Sequence, residues 1–247
     1  MPTRGEKLYE GKAKILYATE DPQRVIQYFK DDATAFNAQK RGTIVDKGVV
    51  NNHISSHLFQ MLEQQGVPTH FVKQLSDREM LVKRLAIIPL EVTMRNIVAG
   101  GMSRMLGMEE GLVLKEPVFE WHYKSDALGD PLINDDHIFA LGAATAPELA
   151  EIRRQSARVN ELLKTYFLAR GIDLVDFKLE FGRHGGALLL GDEISPDTCR
   201  FWEQGTKKKL DKDRFRRDLG DVEAAYQEML RRVVGGAPTR VGGSEGR

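Results

Sequence analysis

Two strand-like runs joined by a glycine-rich turn constrain the fold more than any other part of this chain. In the first run, residues 172–181, polar and apolar side chains alternate, so one strand face carries two acids and a lysine. These are Asp176, Lys178 and Glu180. Glycines fill three of the five positions at 182–186, and the second run covers 187–194. The pattern predicts an antiparallel β-hairpin, and therefore a sheet with one charged face.

The second run of this hairpin ends in Asp192 and Glu193, which the turn would bring back to the charged face of the first. Carboxylates grouped with a lysine can hold a divalent ion that bridges nucleotide phosphates. A ladder of cross-strand salt bridges fits the pattern equally well, each exposed pair contributing less than about 1 kcal/mol. The residues alone leave both interpretations open.

The first third of the chain is predicted to be a sheet carrying one helix. Its predicted strands cover residues 12–17, 25–29, 69–74 and 80–86. The first strand follows a turn at Gly11, and a polar stretch at 30–46 follows the second. The helix is predicted to run from Asn51 to Gln65 and to end at Gly66.

The pattern changes near residue 86, which predicts a boundary between an N-terminal sheet lobe at 1–86 and a larger α+β lobe at 87–234. The last residues, 235–247, are poor in apolar side chains and predict a flexible tail. In the second lobe the further predicted elements are a strand at 92–97, short elements from there to 118, and helices at 147–170 and 213–234.

Two other segments suggest phosphate binding. Gly11 would let backbone amides approach a phosphate closely, and Lys12 and Lys14 would share one side of a strand. The segment is not a Walker P-loop, and a solvated lysine pair is the commoner explanation of such a pattern. Arg95 and Arg200 could grip a phosphate monoester by bidentate contacts, although a single arginine is more often a surface residue.

His53 and His57 stand four residues apart on the first predicted helix, as zinc ligands often do. The segment lacks the glutamate and the third ligand of a zinc site, and His57 borders the apolar face of the helix. We therefore predict packing or polar contacts for these histidines, and no metal.

The overall charge excludes some classes of partner. The chain has 36 basic and 36 acidic residues, so no global field attracts nucleic acid or an anionic membrane. Its single cysteine, Cys199, excludes an intrachain disulfide and fits a reducing compartment. The chain shows no apolar run of signal-peptide or membrane-spanning length, and we expect a cytoplasmic protein.

Six ordered segments together resemble the SAICAR synthetase family, over the chain from Leu8 to about Val233. The most specific are residues 174–182, 191–197 and 88–95, and the supporting ones are 9–14, 47–52 and 211–216. The resemblance implies a two-lobed α+β fold of mainly antiparallel sheets with flanking helices, related to ATP-grasp enzymes and protein kinases. ATP would bind in the cleft between the lobes.

The resemblance also implies an activity, that of an ATP- and Mg²⁺-dependent carbon–nitrogen ligase of purine biosynthesis. ATP would activate the carboxylate of carboxyaminoimidazole ribonucleotide (CAIR), L-aspartate would supply the amine, and ADP and phosphate would leave. Such chemistry needs lysines, a metal and exclusion of water rather than a protein nucleophile. The alternatives are a kinase of similar fold and a non-catalytic nucleotide-binding regulator. We expect a homo-oligomer.

The resemblance assigns roles to individual residues. At the nucleotide it places Gly11, Lys12, Ala13 and Lys14 over the phosphates, Lys83 and Leu85 beside the adenine, and Glu180 and Asp192 at the phosphates and Mg²⁺. The implied catalytic residues are Lys14, Lys178 and Asp192, with Lys178 neutralising the transferring phosphoryl group. At the ribose phosphate it places Arg95 and Arg200, with Asp176 nearby.

The resemblance also implies assignments at the imidazole or aspartate site and at one phosphate contact. Lys124 and Asp130 would lie at the imidazole or aspartate site. Gly101 stands where the family usually has a serine, so Ser103 or a backbone amide would have to replace that phosphate contact.

Overall fold

The computed structural model describes residues 2–35 and 39–235, and its N-terminal part is built around a five-stranded antiparallel sheet. The elements in chain order are β1 (Lys7–Glu10), β2 (Lys14–Ala18), β3 (Arg24–Phe29), β4 (Asp32–Ala35), β5 (Lys40–Thr43), α1 (Lys47–Gln64), β6 (Phe71–Gln74) and β7 (Glu79–Lys83). The sheet has the order β1-β2-β3-β7-β6, and β4 pairs with β5 separately.

A six-stranded antiparallel sheet forms the rest of the fold. Its elements and helices are β8 (Ala86–Ile97), α2 (Gly100–Leu106), β9 (Val113–Tyr123), β10 (Leu132–Ile133), α3 (Asp135–Leu141), α4 (Ala146–Leu168), β11 (Ile172–His184), β12 (Ala187–Leu190), β13 (Cys199–Glu203), α5 (Asp213–Arg216) and α6 (Val222–Val234). The sheet has the order β10-β9-β8-β11-β12. Strand β13 pairs with the first half of β11, before the part that pairs with β12.

One continuous hydrophobic core joins both sheets to the long helices. It includes Phe29 of β3, Phe59 of α1 and Phe177 of β11, each almost fully buried. Phe167 of α4 packs on Phe201 of β13 with ring centroids 4.5 Å apart. Because burying one such side chain contributes about 1.5–3 kcal/mol, this shared core fixes the two sheets against each other.

The predicted hairpin is confirmed. Strands β11 and β12 pair from Phe181 opposite Leu190 to His184 opposite Ala187. The turn uses Gly185 and Gly186 at φ of 56° and 80°, a region that side chains other than glycine rarely adopt. The α+β class with mainly antiparallel sheets is confirmed as well.

Helix α1 begins at Lys47, four residues before the predicted start at Asn51. The backbone N–H of Gly48 donates to Asp31 Oδ1 at 2.9 Å, and a side chain at Gly48 would overlap the carbonyl oxygen of Phe29. The first turn of the helix is thus held by tertiary contacts with the end of β3. The polar stretch before it contains β4 and β5, which were not predicted.

The region predicted to hold short elements, up to residue 118, contains α2 and the first half of β9, a strand of eleven residues that continues to Tyr123. The first half of β9 is largely exposed, so its sequence lacks a clear apolar alternation, and its conformation depends on pairing with β8.

The single helix predicted over 213–234 is wrong, since α5 and α6 are separate. Asp218, Gly220 and Asp221 between them all have positive φ, which ends a right-handed helix. The guanidinium of Arg214 donates to the carbonyls of Leu219 and Gly220 and so stabilises this reversal.

The boundary was predicted near residue 86. The last strand of the five-stranded sheet, β7, ends at Lys83, and the first strand of the six-stranded sheet, β8, begins at Ala86. The predicted tail, 235–247, lies outside the described residues apart from Gly235. Among the helices in the described part of the chain, none has the length and apolarity needed to cross a bilayer.

Candidate active site

A cavity of about 870 Å³ is lined by side chains from both sheets. Fourteen of the sixteen predicted site residues line it: Gly11, Lys12, Ala13, Lys14, Lys83, Leu85, Arg95, Lys124, Asp130, Asp176, Lys178, Glu180, Asp192 and Arg200. Gly101 and Ser103 do not. The Ser103 hydroxyl donates to the Met108 carbonyl at 2.8 Å.

The glycine–lysine segment forms the tight connection between β1 and β2. The N–H of Gly11 donates to the carbonyl of Lys14 at 2.9 Å. The Lys14 ammonium is bonded to Asp192 and lies 2.9 Å from Glu193 Oε1. The Lys12 ammonium lies 2.6 Å from Asp126 Oδ1, in the turn that follows β9. Lys14 is thus a mostly buried contact between the two parts of the fold, whereas Lys12 is exposed and pairs with an exposed carboxylate.

Neighbouring groups of opposite charge keep the Lys14–Asp192 pair ionised. Burial disfavours both charges, but the carboxylates of Asp192 and Glu193 outweigh it and raise the pKa of Lys14. Lys14 and Lys178 likewise hold the pKa of Asp192 below its usual range. Asp192 has a φ of 60°, a conformation that costs energy for a residue with a side chain. The fold therefore holds a charged carboxylate here in a defined orientation.

A cluster of two ammonium groups and three carboxylates lies on the charged face of β8 and β11. Lys178 Nζ lies 2.6 Å from Glu180 Oε1, 3.0 Å from Glu91 Oε1 and 3.4 Å from Asp192 Oδ2. Lys124 Nζ approaches the same Glu180 oxygen at 2.9 Å and Glu91 at 3.6 Å. Asp192 therefore meets the charged strand face, as the hairpin predicted.

Glu91 was not among the predicted site residues, although a signal for it was present. Residues 91, 93 and 95 share one strand face by the same alternation that groups Asp176, Lys178 and Glu180. In the sheet, Glu180 pairs with Glu91 and Asp176 pairs with Arg95. The charged side chains of β8 and β11 therefore lie side by side on one face of the sheet.

A pair of arginines lies at another part of the cavity. Arg95 Nη1 donates to Asp176 Oδ2 at 2.7 Å, and Arg200 Nη1 donates to both oxygens of Asp176 at 2.9 and 3.0 Å. A second carboxylate orients each guanidinium, from Glu120 for Arg95 and from Asp213 for Arg200. The remaining N–H donors suit a bidentate anion.

Glycine makes room for one of these arginines. A Cβ on Gly100 would lie 2.5 Å from Arg200 Nη2, and the residue has a φ of 55°. The glycine break at the start of α2 is therefore needed both for the turn and for the close approach of the guanidinium.

Apolar and neutral groups line the cavity near Lys83 and Leu85. Side chains at Gly182 or Gly191 would clash with Leu85, at 2.7 Å from its Cβ and 2.8 Å from its Cδ1, respectively. Lys83 Nζ donates to the carbonyl of Thr69 at 2.9 Å. His70, which was not predicted, also lines this part of the cavity, and burial lowers its pKa to about 3.

His70 predicts a pH-dependent stability. Since the folded-state pKa of about 3 lies below the ordinary 6.5, the unfolded chain takes up the proton first, and stability falls as the pH drops below 6.5. The loss is about 1.4 kcal/mol per pH unit. The measurement is the free energy of unfolding in urea at pH 6.5 and at about pH 4.5. Between these pH values it should fall by about 2–3 kcal/mol more in wild type than in His70→Gln. Equal decreases in both proteins would contradict the assignment.

The two histidines of the first helix make polar contacts. His57 Nε2 lies 2.8 Å from the Tyr166 hydroxyl, and His53 Nε2 lies 3.1 Å from Asp77 Oδ1. Within residues 2–35 and 39–235, no three His, Cys, Asp or Glu side chains are grouped as a metal site.

The comparisons with known proteins agree on one family. Residues 7–233 match the family model described as SAICAR synthetase. A phosphoribosylaminoimidazole-succinocarboxamide synthase from Clostridium acetobutylicum is 60% identical over 93% of this chain and 98% of its own length. The crystal structure of the synthase of that name from Ehrlichia chaffeensis is 47% identical, with a TM-score of 0.91 over 93% of this chain and 98% of that chain.

A further solved structure, a SAICAR synthetase in complex with ADP, is 46% identical, with a TM-score of 0.90 over 94% of this chain and 99% of that one. These matches span nearly the whole chain, including both sheets and the cavity between them. The chain belongs to the SAICAR synthetase family.

Proposed function

We propose that this chain is an ATP-dependent carbon–nitrogen ligase that condenses CAIR with L-aspartate to give SAICAR, ADP and phosphate. One observation carries the proposal. Lys14 and Lys178 both contact Asp192, which brings the glycine–lysine turn and the hairpin into one cavity. The names of its relatives and the ADP bound by one of them support the same reaction.

The chemistry explains why such a cluster is needed. A carboxylate oxygen of CAIR attacks the γ-phosphorus of ATP, and ADP leaves. The amine of aspartate then attacks the resulting acyl phosphate, so that a C–N bond forms as phosphate departs. In this proposal Lys14 and Lys178 neutralise charge on the phosphoryl group during transfer. Cys199 is buried and the pKa of its thiol is raised by that burial, so it is unsuited to act as a nucleophile.

The residues present fit a magnesium ion. Glu180 and Asp192 both contact the Lys178 ammonium, so their oxygens lie within a few ångströms of a common point. Mg²⁺ is usually held by one or two carboxylates together with substrate phosphates and water, so a larger protein ligand set is not required. When bound, the ion would offset the negative charge of the triphosphate.

The substrates are then arranged along the cavity. We place the adenine beside Lys83 and Leu85, and the ribose phosphate of CAIR at Arg95 and Arg200. Asp176 orients these arginines. Near the imidazole we place Lys124 and Asp130. Asp130 Oδ1 accepts a hydrogen bond from the N–H of Ser125 at 2.8 Å, which fixes this turn.

We further propose a cytoplasmic homo-oligomer. Four apolar side chains in α2 and just after it are at least half exposed, namely Met105, Leu106, Leu112 and Val113. Exposed apolar groups so close in sequence suit contact with a second subunit.

An ADP-release assay tests the reaction. With ATP, Mg²⁺ and CAIR, we expect ADP to accumulate only when L-aspartate is also present, since aspartate must consume the acyl phosphate. A kinase would release ADP without aspartate. A nucleotide-binding regulator would bind ATP and release no ADP with all substrates present.

A further inference from the structure

One lysine in the cavity has no close partner. Five of the six lysines that line it donate a hydrogen bond to a described residue: Lys12, Lys14, Lys83, Lys124 and Lys178. Within the described residues, Lys212 donates none from its side chain, and its ammonium lies 3.8 Å from the carboxylate of Asp197. Its side chain is only 13% exposed. A cation that is mostly buried and poorly paired is available for an anionic ligand.

The carboxylate of Asp197 already has two better partners. Lys47 Nζ lies 2.7 Å from Oδ2, and the Tyr226 hydroxyl donates to Oδ1 at 2.6 Å. Both of these partners are fully buried. Burial, reinforced by the charges of Arg216 and Lys47, lowers the pKa of Lys212. A bound substrate anion would stabilise the charged form of Lys212 in this buried position.

A second cation stands one helical turn away. The N–H of Arg216 donates to the carbonyl of Lys212 at 2.9 Å, so the side chains of Lys212, just before α5, and Arg216, at its end, leave the same side of this turn. Arg216 also lines the cavity, and its Nη1 donates to Asp213 Oδ1 at 2.6 Å. One short turn therefore presents two positive groups to the cavity.

These cations lie beside the segment that links the two parts of the site. The N–H of Lys212 donates to the Pro196 carbonyl at 3.0 Å, and the carbonyl of nearby Thr198 accepts from the N–H of Lys178 at 2.8 Å. Arg200 follows two residues later, on β13. Lys212 therefore lies beside the segment that connects the backbone partner of Lys178 to Arg200, and we place the amine substrate there.

We propose that Lys212 and Arg216 form the subsite that binds the carboxylates of the amino-acid substrate. The inference rests on the proposed ligase function. The phosphates of both nucleotides already have cations assigned, namely Lys14 and Lys178 for ATP and Arg95 and Arg200 for CAIR. The two carboxylates of aspartate do not, and the charges of Lys212 and Arg216 match theirs.

Steady-state kinetics on the full chain tests the subsite. Lys212→Met should raise the KM for aspartate by about 10- to 100-fold, the effect of losing one charge-assisted hydrogen bond. The KM values for ATP and CAIR should stay within about twofold. Lys212→Arg should recover much of the loss. Lys208→Met serves as the control, because Lys208 is exposed and does not line the cavity.

Arg216→Gln should show the same selective rise, and it keeps the test decisive if Lys212→Met unfolds. A rise in the KM for CAIR instead of aspartate would overturn the subsite, since the bound anion would then be the ribose phosphate. A fall in kcat with all KM values unchanged would overturn it too. If wild type releases no ADP with all three substrates, the proposed function itself fails.

Discussion

Asp192→Asn should lower kcat by about a thousandfold and leave the protein folded. The substitution removes the negative charge that Lys14 and Lys178 share and one of the two carboxylates placed at the metal. Losing a single preorganised electrostatic contact typically costs about 100- to 1,000-fold in kcat, and loss of metal-held charge adds to that. Asparagine tolerates the positive φ of this position, so the backbone has no reason to change.

The measurement is ADP release under saturating substrates, together with thermal unfolding of both proteins. Asp218→Asn is a matched control, since Asp218 also has a positive φ, of 53°, but is 85% exposed in its side chain and lies outside the cavity. Its kcat should equal that of wild type. A rate for Asp192→Asn within about threefold of wild type would refute the site as described.

Lys47→Met should destabilise the fold by about 3 kcal/mol. Lys47 and Asp197 form an ion pair in which neither side chain is more than 4% exposed, and removal of one partner leaves a buried charge. Breaking such a pair costs about 3–5 kcal/mol. The Tyr226 hydroxyl and the more distant Lys212 still offset part of the charge on Asp197, which places the expected value at the lower end.

Urea unfolding at neutral pH measures this loss. Lys7→Met is the control, because Lys7 forms an exposed pair with Glu10, and exposed pairs add little to stability. Equal unfolding free energies for Lys47→Met and Lys7→Met would show that the buried pair does not hold α1 against the loop before β13.

Much of the site was predictable because its chemistry follows local periodicity. Alternation in one strand was enough to group Asp176, Lys178 and Glu180, and the glycine turn was enough to return Asp192 to them. The same reasoning on β8 would have found Glu91. His70 gave no such signal, because its place in the cavity depends on the segment before β6, where Thr69 pairs with Leu190 of β12 and the N–H of His70 donates to the Leu190 carbonyl.

The errors in the fold each have a physical cause. Strand β9 has an exposed first half and forms because β8 supplies its hydrogen bonds. Helix α1 extends to Lys47 because Asp31 accepts the N–H of Gly48 across a gap in sequence. The break between α5 and α6 needs the guanidinium of Arg214 to hold two carbonyls. The first two depend on partners distant in sequence, and the third on side-chain contacts to the backbone that apolar periodicity does not reveal.

The amino-acid sequence by itself determined the hairpin, the charged strand face and the membership of a family, because alternation and motif spacing are properties of neighbouring residues. Only the tertiary structure decided which charges meet. Lys14 and Asp192 are 178 residues apart in sequence, and their contact exists because one shared core holds the two sheets together. The weak pairing of Lys212 is also tertiary, since Lys47 and Tyr226 contact Asp197 more closely and come from distant helices.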